Sequence, residues 1–470
     1  MNKKLFPKNH FHFIGIGGIG MSAIAMGLLK KGVSVSGSDL INNNETYQLK
    51  KHGAIIFDTQ VIENIKFLTL KFKNKKIICV TSSAIKAENE ELSYCKQKNL
   101  TVKHRSDILA MLMESYTSIG IAGSHGKTST STFLSTLLEL CTHNCSSITG
   151  GIIPIYSSNS YVENTKFLVA ELDESDGTIN KYISDIGVIN NIDFDHCDHF
   201  SSIDEVLSSF KEFALKSKTL LVNYDCETIK KNIIYDFSWS NKEIDHVDYS
   251  IIPTSFDETK TTGNYYENGN FIDKLNIPIP GMHNLSNITA SIAASRMIGV
   301  NFKDIKKNIQ NLKLPKKRFE FRGEISERKI YDDYAHHPKE IKATIDLAKL
   351  FIKQKNNKIK GKKTRLIVIF QPHRFSRVKQ FANEFAEELS KADVIYLTKI
   401  YGAGEINKDN ITSEFISKII SKKNKSVKYL NNYHELTNNF FELTQRGDFI
   451  LNMGAGDCHN LWSILTGNNN

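Results

Sequence analysis

The sequence predicts an α/β fold in three successive domains, and three observations predict it. Short runs rich in Val, Ile and Phe recur along the chain with helical stretches between them, the alternation that builds parallel sheets covered by helices. Two strand-to-helix junctions are glycine-rich, GIGGIG at 15–20 and GSHGKT at 123–128. A chain of 470 residues is also too long for one core, at roughly 100–200 residues per domain.

The first domain, 1–107, opens with HFHFIGI as a strand, the glycine turn, MSAIAMGLLKKG as a helix and VSVSGSD as a second strand. Gly15, Gly17 and Gly20 make a GxGxxG with Gly18 inside it, and Asp39 follows about twenty residues on, as in dinucleotide-binding folds. Such glycines let backbone N–H groups approach a pyrophosphate at a helix N-terminus, although a tight turn in any α/β domain wants them too. KIICVTSSAI at 76–85 is a further buried strand whose small hydroxyl end, Ser82 and Ser83, suits the lining of a ligand crevice. The uncharged run at 13–29 after MNKK imitates a secretory signal, and its glycine spacing makes the imitation accidental.

The second domain, 108–315, places the strand TSIGIAG before GSHGKT and a helix after it. The loop departs from GxxxxGK[ST], because Ile121 stands at the first glycine position. In the remaining GxxGKT, backbone N–H groups would cradle phosphates, Lys127 would neutralise the outer oxygens and Thr128 would reach Mg²⁺. Glu171, Asp173, Glu174 and Asp176 crowd one strand end, where mutual repulsion calls for a cation and favours a metal site. Asp193, Asp195, His196, Asp198 and His199 repeat the theme on the next strand. Residues 240–275 read as a polar stretch with little pattern, followed by a turn and helix in IPIPGMHNLSNITASIAASRMIG.

The third domain, 316–470, has strands in RKIYDDY, RLIVIFQ, DVIYLT, SVKYL and DFILNMG. YDDYAHHPKE at 331–340 sets two Asp, a Tyr and two His between a strand and a helix. FQPHRFSR at 370–377 puts Arg374 and Arg377 one helical turn apart, so that both face one way and suit a carboxylate or phosphate.

The net charge of +10 comes from lysines scattered among asparagines, which favours an anionic small-molecule substrate and no nucleic acid. Seven cysteines without a CxxC pair make neither a disulfide framework nor a zinc site and suit a reducing cytoplasm. No long apolar run argues for membrane insertion. With no Gly-x-Ser-x-Gly elbow and no Cys/His dyad, the equipment suits phosphoryl transfer to a substrate.

HFIGIGGIGMSAIA, GSHGKTS, DESDGT, NIDFDHCDHF, PGMHNLSNITASIAA, KRFEFRG, YDDYAHHPKEIKAT, FQPHRFSR and GAGD occur in this order between residues 12 and 457. The chain thereby resembles the Mur ligases of peptidoglycan synthesis. The resemblance implies an N-terminal Rossmann-like domain for a UDP-sugar, a central P-loop ATPase domain and a C-terminal Rossmann-like domain. It implies ATP and Mg²⁺ as cofactors and UDP-N-acetylmuramate and L-alanine as substrates, joined through an acyl phosphate in the cytoplasm by a monomer or weak homodimer. Gly123, Ser124, His125, Gly126, Lys127, Thr128 and Ser129 would form the ATP loop, with Thr128, Glu174 and His196 at metal positions. His283 and Asn287 would lie near the adenine, and Arg318 and Asp333 would reach the nucleotide from the domain junction. Tyr334, His336, Arg374 and Arg377 would surround the amino acid and, with Lys127, make up the catalytic set. Gly15, Gly17, Gly18, Gly20, Ser38, Ser82, Ser83 and Arg105 would hold the UDP-sugar. Ser124, Asp193 and Ala335 depart from the residues usual in the family and remove no charge. Two alternatives stay open: reattachment of recycled murein tripeptide, and, from GIGGIG and Asp39 alone, an NAD-dependent dehydrogenase.

Overall fold

The computed structural model describes residues 8–163, 165–197, 199–358 and 363–467. Three sheets follow one another along the chain. In the first, five parallel strands run in the order Ile55–Phe57, Ser34–Ser38, Asn9–Ile14, Lys76–Thr81, Thr101–His104. The order reverses at Asn9–Ile14, the switch point where open α/β sheets bind ligands. The glycine turn leaves that strand, and Ser82 and Ser83 follow its neighbour.

The second sheet has ten strands. Thr117–Ala122 lies between the parallel strands Ser184–Ile189 and Phe167–Glu171. Its flanking helices, Lys127–Leu140 and Met282–Met297, are rich in Ser, Thr and Ala, and nearly all of those residues are buried. Small side chains let the two helices approach closely, and several of their hydroxyls donate to main-chain carbonyls: Ser131 Oγ to Lys127 O at 2.9 Å, and Ser291 Oγ to Thr130 O across the interface at 3.0 Å.

The stretch 240–275, which shows little pattern in sequence, leads into an antiparallel meander, Tyr249–Phe256, Thr261–Glu267 and Asn270–Ile277, added to the sheet edge. The meander buries one face, with Ile251, Tyr265, Leu275 and Ile277 in the core, while its other positions are mostly polar. Its turn was legible all the same: Asn268 and Gly269 have φ of 48° and 76°, the two positive values for which Asn-Gly is the favoured hairpin pair.

The third sheet has six strands in the order Glu320–Ile325, Arg328–Asp333, Phe449–Met453, Leu366–Phe370, Val394–Leu397, Val427–Tyr429. All pairs are parallel except the first, an edge strand that sequence reading did not anticipate. Among the described residues, no helix is long and apolar enough to cross a membrane.

Candidate active site

The loop 123–126 is shaped by glycine. Gly123 and Gly126 hold φ of 136° and 82°, and a Cβ on Gly126 would stand 2.4 Å from Asn287 Oδ1, so no other residue fits. The next strand's extension pins the loop from below: Ser124 N donates to Asn191 O at 3.1 Å and His125 N to Asn191 Oδ1 at 2.8 Å. The helix Lys127–Leu140 begins without a side-chain cap, which leaves its first N–H groups directed at an anion.

Lys127 Nζ lies 2.9 and 2.8 Å from the two oxygens of Glu174 and donates to Gly123 O at 2.6 Å. Burial works against its charge, but Glu174, Asp173 and Glu171 outweigh burial and raise its pKa. Glu171 accepts from Thr128 Oγ1 at 3.0 Å and from Gly150 N at 2.6 Å. Asp173 pairs with Arg105 at 2.5 Å, and Asp176 accepts from Ser83 Oγ at 2.9 Å. The four crowded acids thus divide: two face the phosphate loop, and two face the first domain, whose Arg105 supplies the cation that their repulsion required.

His196 Nε2 stands 3.5 Å from Glu174 Oε1, and its backbone has φ of 54°, a strained value of the kind concentrated at functional sites. Its Nδ1 is buried with no hydrogen-bond partner among the described residues. Asp198 lies outside the described residues. His199 turns away, its ring edge-on to Phe200 and filling the space where Gly177 has no Cβ. No group of three acidic, His or Cys side chains forms a ready metal cage among the described residues. Of the three expected metal positions, Glu174 and His196 stand together while Thr128 Oγ1 bonds to Glu171, and Glu174 is of the type that holds Mg²⁺, which is commonly bound by one or two carboxylates together with substrate phosphates.

A cavity of about 290 Å³ opens beside the loop. Its walls include His125, Gly126 and Ser129, His283 and Asn287 from the second glycine-capped helix, and Arg318, Asp333 and Glu340 from the third domain. Burial, with Arg318 nearby, pulls His283 down to about 4. Asp333 is held by Phe319 N and Ala335 N, both at 2.7 Å.

On the third domain, Tyr334, His336 and His373 form a chain of rings with centroids 5.4 and 5.5 Å apart. His336 Nδ1 lies 2.9 Å from Tyr334 O, and burial followed by nearby Arg377 lowers its pKa to about 4. The two arginines are not equivalent members of one helix face. The helix is only Phe375–Gln380, so Arg374 precedes it with a non-helical φ of 65°, which breaks the spacing argument. Arg377 instead donates through Nε and Nη2 to Asp195 Oδ1 at 3.1 and 2.7 Å, and both side chains are buried.

At the first domain, Gly15 N and Ile16 N donate to Ser38 O at 2.8 and 3.0 Å, while Ser38 Oγ donates to the buried Glu91. Ser38 therefore meets the glycine turn through its carbonyl, and its hydroxyl, expected at the UDP-sugar, points into the domain. Asp39 accepts from Gly17 N at 2.8 Å and Ile41 N at 3.0 Å, bonds that fasten the turn and occupy the carboxylate a ribose would need. A Cβ on Gly20 would lie 2.9 Å from Arg105 Nη1, so turn and arginine meet in one crevice.

Most of the chain matches one family in three consecutive pieces: Mur ligase family, catalytic domain, at residues 10–117; Mur ligase middle domain at 121–295; and Mur ligase, glutamate ligase domain, at 317–456. The chain belongs to the Mur ligase family. Among its curated relatives, a UDP-N-acetylmuramate–L-alanine ligase from Prochlorococcus marinus subsp. pastoris is 68% identical over 100% of this chain and 99% of the relative. One of the same name from another Prochlorococcus marinus strain is 44% identical over 97% of each. Among solved structures, a UDP-N-acetylmuramate-alanine ligase from Thermotoga maritima superposes with a TM-score of 0.79 at 22% identity, covering 97% of this chain and 98% of that one. A murein peptide ligase from Psychrobacter arcticus gives 0.69 at 22%, covering 98% of each. A MurF ligase from Thermotoga maritima, in complex with ADP, gives 0.61 at 18%, covering 86% of this chain and 91% of that one.

Sequence reading gave no role to Asn190, Asn191 or Glu340, and it singled out Asp195 without its partner. Asn190 and Asn191 shape the phosphate loop, Asp195 holds Arg377, and Glu340 touches two domains. Asn191, Asp195 and Glu340 stood inside quoted motifs, so a signal existed; what was missing was the partner of each.

Proposed function

We infer that this Mur ligase joins L-alanine to UDP-N-acetylmuramate with conversion of ATP to ADP and phosphate, in the cytoplasmic synthesis of peptidoglycan precursors. The observation that carries the reading is the full-length likeness to curated ligases of that name. The murein peptide ligase reading has only a fold-level likeness behind it.

We take the domain limits at 107/108 and 315/316 and the solution state as a monomer or weak homodimer. The loop from Gly123 to Ser129 takes the triphosphate, with Lys127 against its outer oxygens. His283 and Asn287 receive the adenine, and Arg318 and Asp333 close the cleft from the third domain. Thr128, Glu174 and His196 would hold Mg²⁺, which supplies neutralisation of phosphate charge when bound. The UDP-sugar lies along the glycine turn at Gly15, Gly17, Gly18 and Gly20, beside Ser82, Ser83 and Arg105, with Ser38 supporting the turn.

A carboxylate resists attack by an amine until one oxygen becomes a leaving group. The carboxylate oxygen of UDP-N-acetylmuramate attacks the γ-phosphorus, the bond to ADP breaks, and Lys127 stabilises the spreading charge. Tyr334, Arg374 and Arg377 orient alanine. His336 keeps its Nδ1 proton on Tyr334 O, so its neutral ring presents the Nε2 lone pair as a hydrogen-bond acceptor for the amine, whose proton leaves with the phosphate. The amine nitrogen bonds to the acyl carbon, and phosphate leaves with the C–O electron pair to give the amide.

The test is phosphate release from ATP, Mg²⁺ and UDP-N-acetylmuramate with single amino acids or a murein tripeptide. Release above the blank with alanine is expected. Release with the tripeptide alone would overturn the reading.

A further inference from the structure

One carboxylate touches both halves of the site. Glu340 lies in the first turn of the helix beginning at Pro338, lines the nucleotide cavity and is 13% exposed. Its two oxygens have different partners. Oε1 is 3.4 Å from His125 Nδ1 on the phosphate loop and 3.9 Å from Arg318 Nη1 at the domain junction. Oε2 accepts from the backbone N–H of His336 at 3.1 Å and lies 3.2 Å from His336 Nδ1. Burial alone would raise its pKa, but His336, His125 and Arg318 hold it well below the usual carboxylate range. Glu340 is therefore anionic, and both of its oxygens act as acceptors toward these partners.

We infer that Glu340 is a positioning residue that couples nucleotide occupancy of the cleft to amino-acid binding, one oxygen reading the phosphate loop and Arg318 and the other setting His336. The inference rests on the proposed use of ATP and L-alanine. A triphosphate on the loop competes with Oε1 for His125 and Arg318. Whatever rearrangement follows is carried through one planar carboxylate to Oε2, and so to the ring that faces the amine. Coupling of this kind needs a group whose contacts differ between the two occupancy states, and Glu340 touches a ligand-facing residue on each side. As a mere first-turn helix acid it would contribute stability and no communication.

The test titrates L-alanine calorimetrically into the protein holding UDP-N-acetylmuramate, with and without a non-hydrolysable ATP analogue. In the native chain the analogue should tighten alanine by roughly 5-fold or more. Glu340→Gln keeps the shape and removes the charge, and the ratio should fall to about 1. A native ratio in folded E340Q overturns the inference, as does a native chain whose alanine affinity ignores the nucleotide. Folding is checked by far-ultraviolet circular dichroism and thermal unfolding. Should E340Q not fold, Glu340→Asp decides, because its shorter arm cannot span both partners: a reduced ratio supports the coupling, and a native ratio refutes it. Failure of the functional reading is separate: the native chain would then release no phosphate with alanine at all.

Discussion

The phosphate loop and the loops of the third domain face the same cleft, yet they are held in different ways. The former is built almost wholly within the central domain: backbone of residues 190–193, the Asn287 side chain and the Lys127–Glu174 pair surround it. The latter is fastened to the cleft by side chains that cross between domains, Arg377 to Asp195, Glu340 to His125 and Lys339 to Asp193. The loop proposed for the triphosphate is thus shaped within one domain, whereas the third-domain loops proposed for the amine are fixed at the cleft by residues of the central domain. Such division suits a reaction in which activation precedes attack.

The strongest way to break this contrast is at the loop itself. Lys127→Ala should cut turnover by about 10³-fold or more, measured as phosphate release, while UDP-sugar binding by calorimetry stays native; joint loss would mean that the loop and first domain are not separable. Next is Asp195→Ala, which strands the buried Arg377 charge and should cost about 3–5 kcal/mol in thermal unfolding. Its KM should rise more for alanine than for ATP, and an equal rise in both would erase the distinction.

Acid should separate the two regions next. Burial lowers His336 to about 4 and His337, His373 and His459 to about 3, against 6.5 when free. Between those values the unfolded chain binds more protons than the folded one, so these histidines cost the fold nothing above pH ~6.5 and destabilise it progressively as pH falls toward ~3. Trp462 sits in the third domain and Trp239 in the central core. In single-tryptophan variants, Trp462 fluorescence should report an acid transition at higher pH than Trp239, and coincident midpoints would deny the third domain its lability. The smallest effect belongs to Lys339→Ala. Its pair with Asp193 has a lysine 62% exposed, so the expected change in unfolding free energy is at most about 1 kcal/mol, shrinking further in high salt.

Three domains, their parallel strands, both glycine turns and the phosphate loop were readable from residue order, because periodicity, turn chemistry and helix starts depend on neighbours a few positions apart. The same holds for the Asn268–Gly269 hairpin, whose signal was present and overlooked. Residue order alone set the kinds of chemistry at each strand end: a lysine on a glycine loop, acids, histidines and arginines. Who meets whom was fixed by folding. Arg105 answers Asp173, 68 positions away, Arg377 takes Asp195 across 182, and the Ser38 hydroxyl turns inward to Glu91. Charge type is a property of one residue, but a partner is a property of folded distance, and long-range pairs become fixed only when a domain's own elements pack or separate domains close on one cleft.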